Sequence, residues 1–112
     1  MDSAQIYSST LEQLNKTVVR LTSPEWDAKV QAAPPEQRQK VLVELLRVQH
    51  ARLVLANAAL QEIAEQLKAN EQNLLDGQNA LQAELDRLAT VEAVLKAISS
   101  LVNVVARIVP LV

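Results

Sequence analysis

The chain has 112 residues, a formal net charge of −2 and no cysteine. One Trp, one Tyr and a single Gly argue against sandwiches, barrels and nucleotide-binding α/β folds, because those folds place aromatic residues in strands and glycine in turns. The absence of cysteine excludes a disulfide framework, a thiolate zinc site and a thiol nucleophile. We therefore expect one all-α helical domain over residues 1–112, a length that suits a single hydrophobic core.

Two helices are predicted in the first third of the chain, near residues 2–22 and 24–32. Ser23 and Pro24 mark the boundary, since serine is a favoured N-cap and proline is tolerated at the first helical position. Trp26 in the second helix has two interpretations: a side chain that closes one end of a bundle, or an anchor for a partner. The first helix carries apolar or small residues at alternating spacings of three and four: Ala4, Tyr7, Leu11, Leu14, Val18 and Leu21.

From Leu46 to Val109 every seventh residue is Leu or Val. An apolar heptad sustained over this length predicts a coiled coil with left-handed packing. The candidate interaction seam consists of Leu46, Leu53, Leu60, Leu67, Leu81, Leu88, Leu95, Val102 and Val109.

Residues 70–79 contain three Asn, one Asp and the only Gly, which favours a turn. If Gly77 is a left-handed helix C-cap, two helices near residues 36–69 and 80–109 form a coiled-coil hairpin. The heptad phase nevertheless continues through this stretch. The alternative is therefore one long continuous C-terminal helix that begins at Pro35. It would belong to an oligomeric coiled coil, because a single long helix exposes its apolar stripe to water unless another chain covers it.

The C-terminal segment, residues 91–112, is apolar over more than one helix face. Its only charged residues are Glu92, Lys96 and Arg107. A single neighbouring helix cannot cover so wide a band. We expect it either inside a multi-helix core, against a partner, or on a membrane, although its few cations weaken the last interpretation.

Catalytic, cofactor and metal sites are not predicted. His50 is the only histidine, and one glycine cannot build a phosphate-binding loop. We interpret the carboxylates of the heptad region as a solvated helix face. The sequence has no dense basic patch, so we do not expect nucleic acid as a partner. Neither a signal peptide nor a 20-residue apolar span is predicted, so we expect a cytoplasmic protein.

The functional hypothesis is a non-catalytic helical self-assembly or protein-interaction module. It would act through the apolar heptad seam and the C-terminal apolar band, with a homo-oligomer or another helical protein as the partner. The alternative hypothesis is a membrane-active or apolar-surface-binding helical protein that uses residues 91–112.

Overall fold

The computed structural model describes residues 1–110, and all the regular structure in that range is helical. Six helices follow one another along the chain: α1 (Ser3–Arg20), α2 (Pro24–Gln31), α3 (Pro35–Asn57), α4 (Leu60–Ala69), α5 (Glu71–Arg87) and α6 (Val91–Ala106). The bundle measures 44 × 26 × 18 Å. The predicted all-α helical bundle is thus confirmed, and the bounds of the first two helices fall within two residues of the predicted ones.

The body of the molecule is a ring of four helices, in which α1, α3, α6 and α5 each pack against the next and α5 returns to α1. Helices α1 and α3 run antiparallel, and the Tyr7 hydroxyl donates to the Leu55 carbonyl at 2.9 Å. Helices α3 and α6 run parallel, since Lys40 and Lys96 line one groove while Arg47 reaches Asn103 one to two turns further along.

Helix α6 occupies the most enclosed position in the ring. It lies between α3 and α5, and eight of its side chains are buried: Val91, Val94, Leu95, Ile98, Leu101, Val102, Val104 and Val105. A band this wide requires more than one neighbour, as the sequence predicted. Leu111 and Val112, the last residues of the predicted band, lie outside the described residues.

The two short helices close the ends of the ring. Helix α2 connects α1 to α3, and the Ser23 hydroxyl caps it by accepting from the Trp26 backbone N–H. Trp26 is 2% exposed and belongs to the core. At the other end, α4 packs across α1, and Lys68 pairs with Glu71 at 3.0 Å. The hydrogen bond from Lys68 holds the pKa of Glu71 below its usual range.

The chain does not turn at Gly77, which corrects the predicted hairpin. Helix α5 runs through Gly77, whose φ is not positive, and the chain bends instead at residues 58–59, at Asn70 and at residues 88–90. The predicted alternative of one continuous helix is also wrong, because these three interruptions divide the chain after Pro35 into four helices. Within residues 1–110 the residue with left-handed backbone is Leu88, at φ 46°. It ends α5 and leads into a shorter antiparallel hairpin between α5 and α6.

Gly77 serves close packing instead of a turn. A Cβ atom at this position would lie 3.3 Å from Leu101 Cδ1 and 3.7 Å from Leu101 Cα in α6. Leu101 is fully buried, so it has little room to move away. The glycine therefore allows α5 and α6 to approach each other closely at this point.

Helix α5 meets α1 through polar side chains. The Gln78 amide donates to Thr10 Oγ1 at 3.0 Å and accepts from Ser9 Oγ at 2.7 Å, so both ends of this buried amide are paired. One turn further along, the Gln13 amide donates to Gln82 Oε1 at 3.1 Å. A buried polar group that slips out of register loses its partners. These bonds therefore fix the axial position of α1 against α5.

The close approach at Gly77 predicts a specific sensitivity to side-chain volume. Gly77→Leu should lower the free energy of unfolding by ~1–3 kcal/mol, because it forces α5 and α6 apart. Ala83→Leu, an exposed position in the same helix, should change it by less than ~0.5 kcal/mol. Urea denaturation followed by circular dichroism measures both values. Equal effects of the two substitutions would contradict the close-packing role of Gly77.

Candidate interaction surface

Helix α3 is apolar on two sides, and only one of them is covered. Its inner side contributes Val41, Val48, Ala51 and Leu55 to the core. Its outer side presents Leu42, Val43, Leu46 and Leu53, which are 64%, 55%, 66% and 60% exposed. We call these four residues the α3 outer face.

The two sides follow from two heptad patterns in one segment. Val41, Val48 and Leu55 recur every seven residues, and Leu46 and Leu53 form a second set with the same period. Leu42 lies four residues before Leu46 and therefore shares its stripe. Neighbouring residues are separated by about 100° around a helix, so a bundle that buries one set leaves much of the other in solvent.

Two arginines border the α3 outer face, and hydrogen bonds hold both side chains toward the neighbouring helices. On the α6 side, Arg47 donates to Glu44 Oε1 at 2.9 Å and to Asn103 Oδ1 at 2.9 Å. On the α1 side, Arg52 donates to Asn15 Oδ1 at 3.0 Å. These contacts keep the guanidinium groups away from the leucines, so the apolar side chains stay accessible.

The centre of the α3 outer face contains two polar residues and no Asp, Glu, Lys or Arg. Gln49 and His50 lie between Leu46 and Leu53 and are exposed. A second surface of the same kind would therefore meet this one without bringing carboxylate, Lys or Arg groups together at its centre. Charge repulsion is thus small where the apolar contact would be largest.

Shallow grooves run along both flanks of α3. The groove toward α1 has a volume of about 300 Å³, and Leu11, Leu53 and Ala56 supply its apolar wall. The groove toward α6 has a volume of about 510 Å³, with Val43 and Leu95 on opposite sides. The grooves extend the exposed apolar surface beyond the crest of α3.

The structure separates the predicted seam into two groups. Leu46 and Leu53 lie on the α3 outer face, and Leu60 at the start of α4 is half-buried. The remaining members are buried within the chain: Leu67, Leu81, Leu88, Leu95, Val102 and Val109. These residues form the core of the bundle, so a partner reaches them only if the bundle opens.

Trp26 is not on the surface, and the interpretation as an exposed partner anchor does not fit the folded chain. Sequence reasoning also missed Val43, which extends the α3 outer face toward α6. The signal for two apolar sides was present, because the set Val41, Val48 and Leu55 competes with the seam in the same helix.

Metal sites and membrane spans are absent from the part of the chain that the structure describes, residues 1–110. There, no group of three or more His, Cys, Asp or Glu side chains is arranged to hold a metal ion. Over the same residues, no helix combines the length and apolar character needed to cross a membrane. Comparison of the chain with protein-family models, curated proteins and solved structures gave no match.

The division of the seam predicts different costs for the same substitution. Leu67→Ala should lower the free energy of unfolding by ~2–5 kcal/mol, because it empties a fully buried site. Leu46→Ala should change it by less than ~0.5 kcal/mol in dilute solution, because Leu46 already contacts water. Chemical denaturation at low protein concentration measures both. A cost above ~2 kcal/mol for Leu46→Ala would contradict its exposed position.

Proposed function

We propose that this chain is a non-catalytic helical module for self-assembly or protein interaction, and that the α3 outer face is its working surface. The observation that carries the proposal is the exposure of four large apolar side chains on one helix. Single exposed leucines are ordinary in folded proteins, but clustered ones typically mark interaction sites.

The spacing of the exposed side chains favours a helix as the partner. Leu42, Leu46 and Leu53 follow one another at intervals of four and seven, the pattern with which one helix packs along another. Such a partner gains its binding energy by laying an apolar stripe against the face. The proposed coiled-coil contact is therefore made between α3 and a helix from outside the chain.

A second copy of the chain is the partner that we propose. It supplies an apolar stripe of matching spacing, and the centre of that stripe holds Gln49 and His50 and no Asp, Glu, Lys or Arg. The same stripe also fits an amphipathic helix of a different protein, which is the second form of the proposal. The C-terminal band supports both by holding α3 in place from inside the bundle.

Membrane binding through residues 91–112 requires a larger structural change than contact through the α3 outer face does. Helix α6 is covered by α3 and α5, so its apolar side chains meet a lipid surface only after α6 leaves the bundle. That step would expose the largest part of the core to water. We therefore place the working surface on α3.

Charge substitution on α3 tests the proposal. Leu46→Glu should raise the dimer dissociation constant at least tenfold, because each dimer would bury two unpaired carboxylates. Val19→Glu is the matched control, since Val19 is 63% exposed but lies on α1 toward α5. Sedimentation equilibrium of the two variants and the parent chain measures the effect.

The control should associate like the parent chain, and both variants should keep the parent's helical circular dichroism. A parent chain that sediments as a monomer up to hundreds of micromolar would overturn self-association. Equal weakening by both substitutions would place the contact somewhere other than the α3 outer face.

A further inference from the structure

The junction between α3 and α4 is short and has no side-chain cap. It consists of two residues, Ala58 and Ala59, and no side chain caps the start of α4. Asp2, Ser23 and Thr90 each accept a hydrogen bond from the backbone at the start of α1, α2 and α6, whereas α3, α4 and α5 all begin without a side-chain cap. Alanine is among the weakest N-cap residues and the strongest helix former. The sequence of this junction therefore favours helix, although the chain bends there.

Only two backbone torsions separate the bent junction from a continuous helix. Ala58 has φ −74° and ψ 141°, and Ala59 has φ −74° and ψ 121°. Both φ angles are already close to the helical value of about −63°, so rotation of the two ψ angles to about −42° would straighten the chain. The heptad phase also passes unbroken through the junction, from Leu53 to Leu60 to Leu67. Local sequence and heptad phase both agree with the straight form.

The junction divides the fold into two halves that hold each other. Helices α1–α3 form the first half and α4–α6 the second, and the main contacts between them are those of α1 with α4 and α5 and of α3 with α6. If the junction straightens, the second half moves away from its own first half. Every one of these contacts can then form again with the complementary half of another copy.

We propose that Ala58–Ala59 is a hinge, and that two copies of the chain assemble by exchanging their α4–α6 halves across a continuous α3–α4 helix. This inference rests on the proposed self-assembly and specifies how it occurs. In the straight helix Leu53, Ala56 and Leu60 fall on one stripe. Two such helices, crossing near the hinge, cover this stripe together with the neighbouring part of the α3 outer face.

The size of the exposed surface favours exchange over simple docking. The α3 outer face extends from Leu42 to Leu53, about 16 Å along a helix. A stable interface usually needs about 800 Å² and 20–30 residues from each partner. The crest of one helix over this length contributes few residues, whereas exchange makes all contacts between the two halves part of the interface.

Ala59→Pro is the variant that separates the two forms. Proline suits the bent chain, because Ala59 has the φ that proline requires and Ala58 has the extended backbone preferred before proline. In the straight helix, the proline ring would clash with the preceding turn. We expect Ala59→Pro to keep the helical circular dichroism and melting temperature of the parent chain. It should raise the dimer dissociation constant roughly 100-fold or more, since both long helices would have to break.

Ala59→Ser provides the matched control at the same position. Serine adds an N-cap for α4 without forbidding a continuous helix. We expect this variant to weaken the dimer much less than Ala59→Pro does. Light scattering across a concentration series gives the dissociation constants of the parent chain and both variants.

Cross-linking shows directly whether the halves are exchanged. Arg47 in α3 and Asn103 in α6 belong to different halves and are joined by a hydrogen bond of 2.9 Å. The natural chain has no cysteine, so Arg47→Cys in one preparation and Asn103→Cys in another give single labels. After the two preparations are mixed at dimer-forming concentration, a short thiol cross-linker should join two chains. A chain carrying both substitutions should be cross-linked within itself in dilute solution.

Three results decide between the alternatives. A dimer that cross-links between chains and is lost in Ala59→Pro supports the exchange. A parent dimer that persists in Ala59→Pro, or gives no cross-link between chains, overturns the exchange but leaves self-assembly through the α3 outer face standing. A parent chain that is monomeric at every concentration overturns both.

Discussion

The burial of α6 is the constraint on which the rest of the structure depends. Its apolar band is wider than one helix can cover, so the chain must provide at least two neighbours. Helices α3 and α5 fill this role, and the narrow contact at Gly77 lets α5 approach closely enough. The ring is completed by α1, which packs against α3 on one side and meets α5 through paired polar side chains on the other. The four-helix arrangement is therefore organised around one strongly apolar segment.

The same constraint explains why the α3 outer face is left in solvent. Helix α3 covers α6 and α1 with the stripe of Val41, Val48 and Leu55, and no other helix of the described chain lies over Leu42 and Leu46. Arg47 and Arg52 make hydrogen bonds that connect α3 to its neighbours and draw their charges away from the exposed leucines. The buried stripe and the proposed interaction surface thus lie on two sides of α3. The packing of the buried stripe determines the direction in which the α3 outer face points.

Much of the architecture could be predicted from the sequence, and the remainder depended on tertiary contacts. The Ser23–Pro24 boundary and the multi-helix setting of residues 91–109 follow from local capping chemistry and from the width of an apolar band. The prediction of a turn at Gly77 was wrong. In the sequence, a glycine that permits close packing between helices looks the same as a glycine that ends a helix. The bend at Ala58–Ala59 has no local signal, since two alanines favour helix. Leu88 adopts left-handed backbone although leucine disfavours it, and its side chain is buried at the start of the α5–α6 hairpin.

For the candidate surface, the sequence predicted the apolar spacing but not which members of the seam face solvent. That distinction requires knowing which of the two stripes of α3 the bundle covers, and periodicity does not decide between stripes of similar strength. The heptad pattern from Leu67 onward serves the core of one chain, as the burial of Leu67, Leu81 and Val102 shows. A heptad alone therefore does not distinguish packing within a chain from packing between chains.

Methyl NMR of leucine-labelled protein over a concentration series tests the central claim most directly. As concentration rises, the methyl signals of Leu42, Leu46 and Leu53 should shift and become protected from a soluble paramagnetic agent. The methyl signals of the buried Leu101 should not change, because it is already shielded from solvent. If the three α3 leucines remain equally accessible at every concentration, the proposed self-association through the α3 outer face is wrong.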